Sequence, residues 1–171
     1  MSKSKYNGVE PTEFIKRHGS DSTRAHILFQ APITDILDWD EAKIVGIHRW
    51  LRRVLRISDF LQNEIKDSTE FNELNSTETS TDYSKCNDSE IEFLTDIQNN
   101  IKLIEESYEK TLLFNVIISE YIKYTNRLID EIDLNNLKFK ENSKISLKIF
   151  YNSYIQLLKM ISPVIMFLIT L

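Results

Sequence analysis

One cysteine, three glycines and three prolines are all that 171 residues contain. A single thiol, Cys86, excludes an internal disulfide framework and any zinc site built from several cysteines. So little Gly and Pro argues against many tight β-turns and for long helices. The opening Met-Ser-Lys-Ser-Lys has no apolar run behind its charges and does not read as a secretory signal. The most apolar stretch, residues 155–171, is interrupted by Lys159 and Pro163 and falls short of the roughly 20 residues a membrane span needs. No membrane partner is therefore expected. A Walker-type glycine loop and a dinucleotide fingerprint are both missing. His18, His26 and His48 lack metal-ligand spacing and read as surface or packing residues, so no metal site is expected.

What remains is globular: 42% hydrophobic and 27% charged residues can support a core. The net charge of −5 is unevenly spread. Residues 1–60 carry ten Lys/Arg against eight Asp/Glu, residues 61–110 four against thirteen, and residues 111–171 seven against five. The acid is concentrated in the middle, so either flank can still meet phosphate. Ile, Lys and Asn account for 50 of the 171 residues, which reflects AT-rich codons rather than mechanism.

The chain divides into four stretches. Residues 1–11 are a short basic loop with Lys3, Lys5 and an Asn7-Gly8 turn. Residues 12–65 hold three helical segments. The first covers about 12–18 and stops at Gly19. The second starts from Asp21 or Ser22 as cap and runs to Pro32. The third opens on a capping box of Asp38 with Glu41 and runs through about residue 58, fraying toward Ile65. Residues 66–90 read as a solvated, disordered connector, because nineteen of the 25 are Asp, Glu, Asn, Ser or Thr. Beyond it, Ser89 with Glu92 is a capping box. Leu94, Ile97, Ile101, Ile104 and Tyr108 then step by three and four along one helix face. After a break near 111–114 a second helix follows through Ile117, Ile118, Tyr121, Tyr124, Leu128 and Ile132. A third covers about 143–162, with Leu147, Phe150, Tyr151, Tyr154, Leu158 and Ile161 inward. The expected fold is all-α, a helical bundle without a sheet of more than two short strands.

The strongest charge pattern lies on the 38–58 helix. Arg49, Arg52, Arg53 and Arg56 repeat at i, i+3, i+4 and i+7 on one face, with Ile47, Trp50, Leu51, Val54 and Leu55 opposite. Four guanidiniums in a stripe are forked donors suited to phosphate oxygens, and a solvated bundle face is the alternative. Residue reasoning alone reaches a helical bundle with a basic stripe.

Several short motifs carry a resemblance. Met1-Ser2-Lys3-Ser4-Lys5 followed by Asn7-Gly8 resembles the KMSKS loop of class I aminoacyl-tRNA synthetases, with its opening lysine missing. His18-Gly19-Ser20-Asp21-Ser22-Thr23-Arg24 resembles a "YGAD-x-x-R" segment, and Leu28-Phe29-Gln30-Ala31-Pro32 with Leu37-Asp38-Trp39 resembles "LF-x-(A/S)P…L-x-W". Ile44 to Val54 is similar to "GVEGA-x-RFL-x-RV", and Phe114-Asn115 to the "FN-x-AI" stretch. Together they resemble the leucyl-tRNA synthetases of bacterial and organellar type. The match is dense over 1–60 and thin over 90–132. Ile161-Ser162-Pro163-Val164-Ile165 is similar to the family's "h-(S/A/N)-P-h-x-P-H" turn, which residues 166–171 do not continue. That departure gives the expectation of a truncated or frameshifted fragment.

The resemblance implies a signature loop and stem-contact region over 1–37 and an anticodon-binding-type bundle over 38–171, with the connector at 66–90. It implies a leucine–tRNA ligase that activates leucine with ATP, accompanied by Mg2+, and transfers it to tRNA(Leu). Lys3, flanked by Ser2 and Ser4, would contact the ATP phosphates and steady the leaving pyrophosphate, and Arg49, Arg52, Arg53 and Arg56 would contact tRNA. A piece without the nucleotide fold is expected to be inactive alone. A stand-alone RNA-binding module or a non-functional gene remnant are the alternatives. The expected compartment is the mitochondrial matrix in a eukaryote and the cytoplasm otherwise.

Overall fold

Among the residues the computed structural model describes, 9–67 and 83–166, six α-helices and one two-residue hairpin account for the regular structure. Helix α1 (Pro11–His18) starts on a proline at its first turn, where a missing N–H costs nothing. It stops at Gly19, whose φ of +81° suits a residue without Cβ and whose N–H donates to the Ile15 carbonyl at 2.8 Å. The same glycine starts α2 (Ser20–Gln30) with no side-chain cap. Neither Asp21 nor Ser22 caps α2, because Gly19 already turns the chain; Asp21 instead accepts from the backbone N–H of Met166, late in the chain.

Ala31-Pro32 ends α2, and residues 31–40 lead to a 3-10 turn (Glu41–Lys43) and then α3 (Ile44–Asp67). The expected Asp38 cap is replaced by Asp40, whose carboxylate accepts from the Ala42 N–H at 3.0 Å. Helix α3 also runs past residue 58, since Ile57, Phe60 and Leu61 continue its buried face. Phe60 has a physical reason to stay helical: it meets Phe139 and Phe150 edge-on at ring centroid distances of 5.0 and 5.3 Å. Most of the connector read at 66–90 lies outside the described residues.

Helix α4 (Asp88–Glu106) begins two residues earlier than a Ser89–Glu92 box implies. Its capping box is Asn87 with Glu90: the Glu90 N–H donates to Asn87 Oδ1 at 2.9 Å and the Asn87 N–H to Glu90 Oε2 at 3.0 Å. The other Glu90 oxygen accepts the Ser146 N–H at 3.0 Å, at the head of α6 (Leu147–Ile161), so one carboxylate anchors two helix starts. Burial works against its charge, yet the Asn87 and Ser146 N–H groups outweigh burial and hold the carboxyl below its ordinary range. A π-turn (Ser107–Thr111) closed by left-handed Leu112 makes the break before α5 (Phe114–Ile129). Strands β1 (Ile132–Asp133) and β2 (Lys138–Phe139) pair antiparallel, with Ile132 opposite Phe139. Ile132 is buried, on β1 rather than on α5.

Helix α5 is the central element, packed by α2, α3, α4 and α6. Its Ile117, Ile118, Tyr121, Tyr124 and Leu128 are fully buried. On α6 the inward set is Ile149, Phe150, Ser153, Tyr154, Leu157 and Ile161; Leu147, Tyr151 and Leu158 lie half-buried beside it, a small rotation from the expected face. The tyrosine and tryptophan tips inside this core are matched. Tyr121 donates to the Met160 carbonyl at 2.6 Å, Tyr124 to Ser153 at 2.8 Å and Tyr154 to Val54 at 3.0 Å. The Trp50 indole N–H donates to Thr125 Oγ1 at 2.9 Å. Burial pushes Tyr154 up to about 12, with Ser58 opposing and the Asp59 charge adding. The unfolded tyrosine ionises near pH 10, so the folded state holds its proton longer. Stability is full below about pH 10 and falls as pH rises from there toward 12.

Thr125→Val strands the Trp50 N–H in the core and should cost about 1–3 kcal/mol. Trp50→Phe added to it should cost less than its effect alone, because the orphaned donor is then gone. Urea unfolding of both single variants and the double variant measures this coupling.

Candidate nucleic-acid interface

The α3 periodicity places the apolar and basic faces back to back. Ile47, Trp50, Leu51 and Val54 are buried, whereas Leu55, expected inward, is 39% exposed because it lies at the stripe's edge. The four arginines do not behave alike. Arg49 and Arg52 are exposed and make no hydrogen bond or ion pair with any described residue. Arg53 is half-buried and donates from Nη1 to Asn126 Oδ1 on α5 at 2.9 Å. Arg56 donates from Nη2 to the Leu134 carbonyl beside the hairpin. The stripe therefore presents two free guanidiniums and two tied to the bundle. Lys3, Ser2 and Ser4 lie outside the described residues.

Sequence reasoning missed an aromatic cluster where α1, α2, the 31–40 segment and α3 meet. Phe14 is buried against His18, His26 and Trp39, at ring centroid distances of 4.6, 5.8 and 4.9 Å. His26 is fully buried and meets Trp39 edge-on at 5.2 Å. His18 faces His48 of α3 at 5.4 Å. Around the rim, Glu41 Oε1 lies 2.6 Å from Arg17 Nη1 and 3.4 Å from His18 Nε2. Within the cluster, His26 Nδ1, Trp39 Nε1 and Gln30 Oε1 are buried without a hydrogen-bond partner. Burial holds the His26 imidazole below its ordinary pKa of 6.5, against the pull of the Asp40 charge. His18, His26 and His48 stand on three separate helices, so no spacing along one helix face could signal that they converge.

At the opposite end of α2, Asp21 and Arg24 hold the turn that follows α6. Asp21 Oδ1 accepts the Met166 N–H at 3.1 Å, and Arg24 donates from Nη2 to the Pro163 carbonyl at 2.8 Å. Val164 and Ile165 between them are buried.

Comparison with known proteins gives a consistent result. Over 128 residues, 75% of this chain, the sequence is 51% identical to the mitochondrial leucine–tRNA ligase of Saccharomyces cerevisiae. It is 36% identical over 142 residues to the leucine–tRNA ligase of the bacterium Rippkaea orientalis. This chain is homologous to one segment of the leucyl-tRNA synthetases. It spans about 14–15% of the length of those curated relatives. No family model matches the sequence. The fold agrees: 99% of the chain superposes on 20% of a crystallised leucyl-tRNA synthetase of Agrobacterium radiobacter K84, in a ternary complex with tRNA and LeuAMS, with a TM-score of 0.75 at 20% identity. Within the leucyl-tRNA synthetase frame, Asp21 and Arg24 occupy the Asp and Arg of the "YGAD-x-x-R" resemblance, and the structure gives both a shared task at the 163–166 turn. Among the described residues, no helix is long and apolar enough to cross a membrane.

His26 supplies a pH test. Its neutral form is favoured on folding, so the unfolded chain binds the extra proton first. Stability should be full above about pH 6.5 and decline as pH falls below it. His26→Phe should remove that acid-side slope, read from urea midpoints at pH 7.5 and pH 5. For the stripe, Arg49→Gln and Arg52→Gln should change stability by no more than about 0.5 kcal/mol. Arg53→Gln should cost about 0.5–1.5 kcal/mol through its bond to Asn126.

Proposed function

We propose that the chain works as part of a leucine–tRNA ligase of mitochondrial type, supplying the signature loop that meets ATP and helices that hold tRNA(Leu). The observation that carries this reading is the 51% identity over 128 residues to a mitochondrial leucine–tRNA ligase. Lys3, with Ser2 and Ser4 beside it, is assigned to the ATP phosphates. An ammonium on a flexible stem can follow negative charge as it builds on the departing pyrophosphate, which lowers the barrier to leucyl-adenylate formation. ATP is substrate in this scheme, and Mg2+ travels with it. Assignment to the mitochondrial matrix rests on the mitochondrial ligases of Saccharomyces cerevisiae and Saccharomyces paradoxus.

The tRNA role is assigned first to Arg49 and Arg52, the stripe members with unengaged guanidiniums. Arg53 and Arg56 are placed behind them, where they hold α3 against α5 and the hairpin and can still offer their remaining donors to phosphate. Such backbone contacts fix the position of an RNA without reading its sequence.

The test exchanges this chain for the matching segment of the Saccharomyces cerevisiae mitochondrial ligase. The chimera should retain ATP–pyrophosphate exchange and leucylation of tRNA(Leu); a folded chimera lacking both activities would overturn the proposal. Within it, Lys3→Ala should slow exchange by about 100-fold or more while tRNA affinity stays within about twofold. Arg49→Gln and Arg52→Gln should each flatten the log–log salt dependence of tRNA binding by roughly 0.7–0.9 and leave exchange intact.

A further inference from the structure

The rim of the aromatic cluster adjoins the basic stripe. His48 lies one turn before Arg52 on α3, and its ring faces His18 of α1 at 5.4 Å. Next to His18, Arg17 keeps 55% of its side chain exposed and stands over the Phe14 ring at 5.8 Å. A single carboxylate serves this group: Glu41 Oε1 accepts from Arg17 at 2.6 Å and lies 3.4 Å from His18. The other charges nearby are already engaged, Asp40 with Lys43 at 3.7 Å and Glu13 with Lys16 at 2.9 Å. Arg17 is thus held by a single carboxylate, which is itself 41% exposed, with the rings of His18 and His48 between it and the stripe.

The geometry points to an RNA-binding surface that continues from the α3 stripe across His48 and His18 to Arg17, with Glu41 masking its far end. This rests on the RNA reading of the stripe. The chemistry is a competition: an RNA phosphate and the Glu41 carboxylate seek the same guanidinium fork, and the exposed pair exchanges readily with solvent. Removing the carboxylate frees the fork and also removes a negative charge that repels the incoming backbone.

The test titrates the 171-residue chain with a tRNA(Leu) transcript at several salt concentrations. Glu41→Gln should tighten binding by about threefold to tenfold and steepen the salt slope. Arg17→Gln should weaken binding and flatten the slope by roughly 0.7–0.9, Arg17→Lys should restore most of it, and Arg17→Gln should cancel the gain from Glu41→Gln in the double variant. Thermal unfolding of each variant separates a folding defect from a binding one. If Arg49→Gln and Arg52→Gln weaken binding while the Glu41 and Arg17 variants leave affinity and slope unchanged, this proposal is overturned and the stripe stands. If the Glu41 and Arg17 variants respond and the stripe variants do not, the RNA reading of the stripe is overturned, and with it a surface that continues from the stripe. A wild-type chain with no measurable affinity for the transcript overturns both.

Discussion

A large aromatic side chain with a polar tip is costly to bury unless a partner waits for that tip, and the packing of α3, α5 and α6 is organised around that constraint. Tyr121 and Tyr124 of α5 are fully buried, and their hydroxyls reach carbonyls of α6. Trp50 of α3 donates to Thr125 of α5, and Tyr154 of α6 donates back to Val54 of α3. Each bond left unmade costs about 1–3 kcal/mol in such surroundings, so three helices are fixed in rotation as well as in distance. The rotation of α3 in turn decides which arginines face water. With Trp50 and Val54 pinned inward, Arg49 and Arg52 have nowhere to go but out, and Arg53 falls within reach of Asn126.

Much of this was legible in the sequence, for identifiable reasons. Apolar steps of three and four marked α4 and α5 because a helix buries one face at that period. Gly19 marked the end of α1 because its backbone conformation disfavours any other residue. The caps were harder to read. Asp38, Asp21 and Ser89 are as good cap residues as Asp40, Gly19 and Asn87, and the choice among neighbours is made by tertiary contacts such as Ser146 on Glu90. The end of α3 depended on Phe60 meeting Phe139 and Phe150, about 80 and 90 positions later in the chain. No local pattern carries a contact at that range.

The basic stripe was legible as a periodicity but not as a division of labour. Spacing puts four arginines on one face; only packing shows that two of them are tied to α5 and the hairpin. The convergence of Phe14, His18, His26, Trp39 and His48 was illegible for a related reason, since its members come from four separate segments. It leaves buried polar atoms unpartnered where the tyrosine-lined core leaves none on its aromatic tips. The two regions are therefore unequal: three of the four unpartnered buried side-chain atoms, on His26, Gln30 and Trp39, belong to this cluster, and the fourth is Asn115 Oδ1 on α5.

The bonds from Asp21 and Arg24 to the turn after α6 have a consequence for the order of events during synthesis. Met166 and Asp21 stand 145 positions apart, and Pro163 and Arg24 stand 139 apart. A ribosome adding about 5–20 residues per second leaves α2 waiting on the order of ten seconds for the segment that closes over it. Meanwhile Ala25 and the rest of its inner face lack their final cover. Two of the closing bonds go to backbone groups of the turn, whereas a third, from Arg24 Nη1 to Met166 Sδ at 3.3 Å, depends on the side chain at 166. The first helices of this bundle are thus among the last to be secured, and nascent chains stalled before residue 163 should be the ones that chaperones and proteases meet.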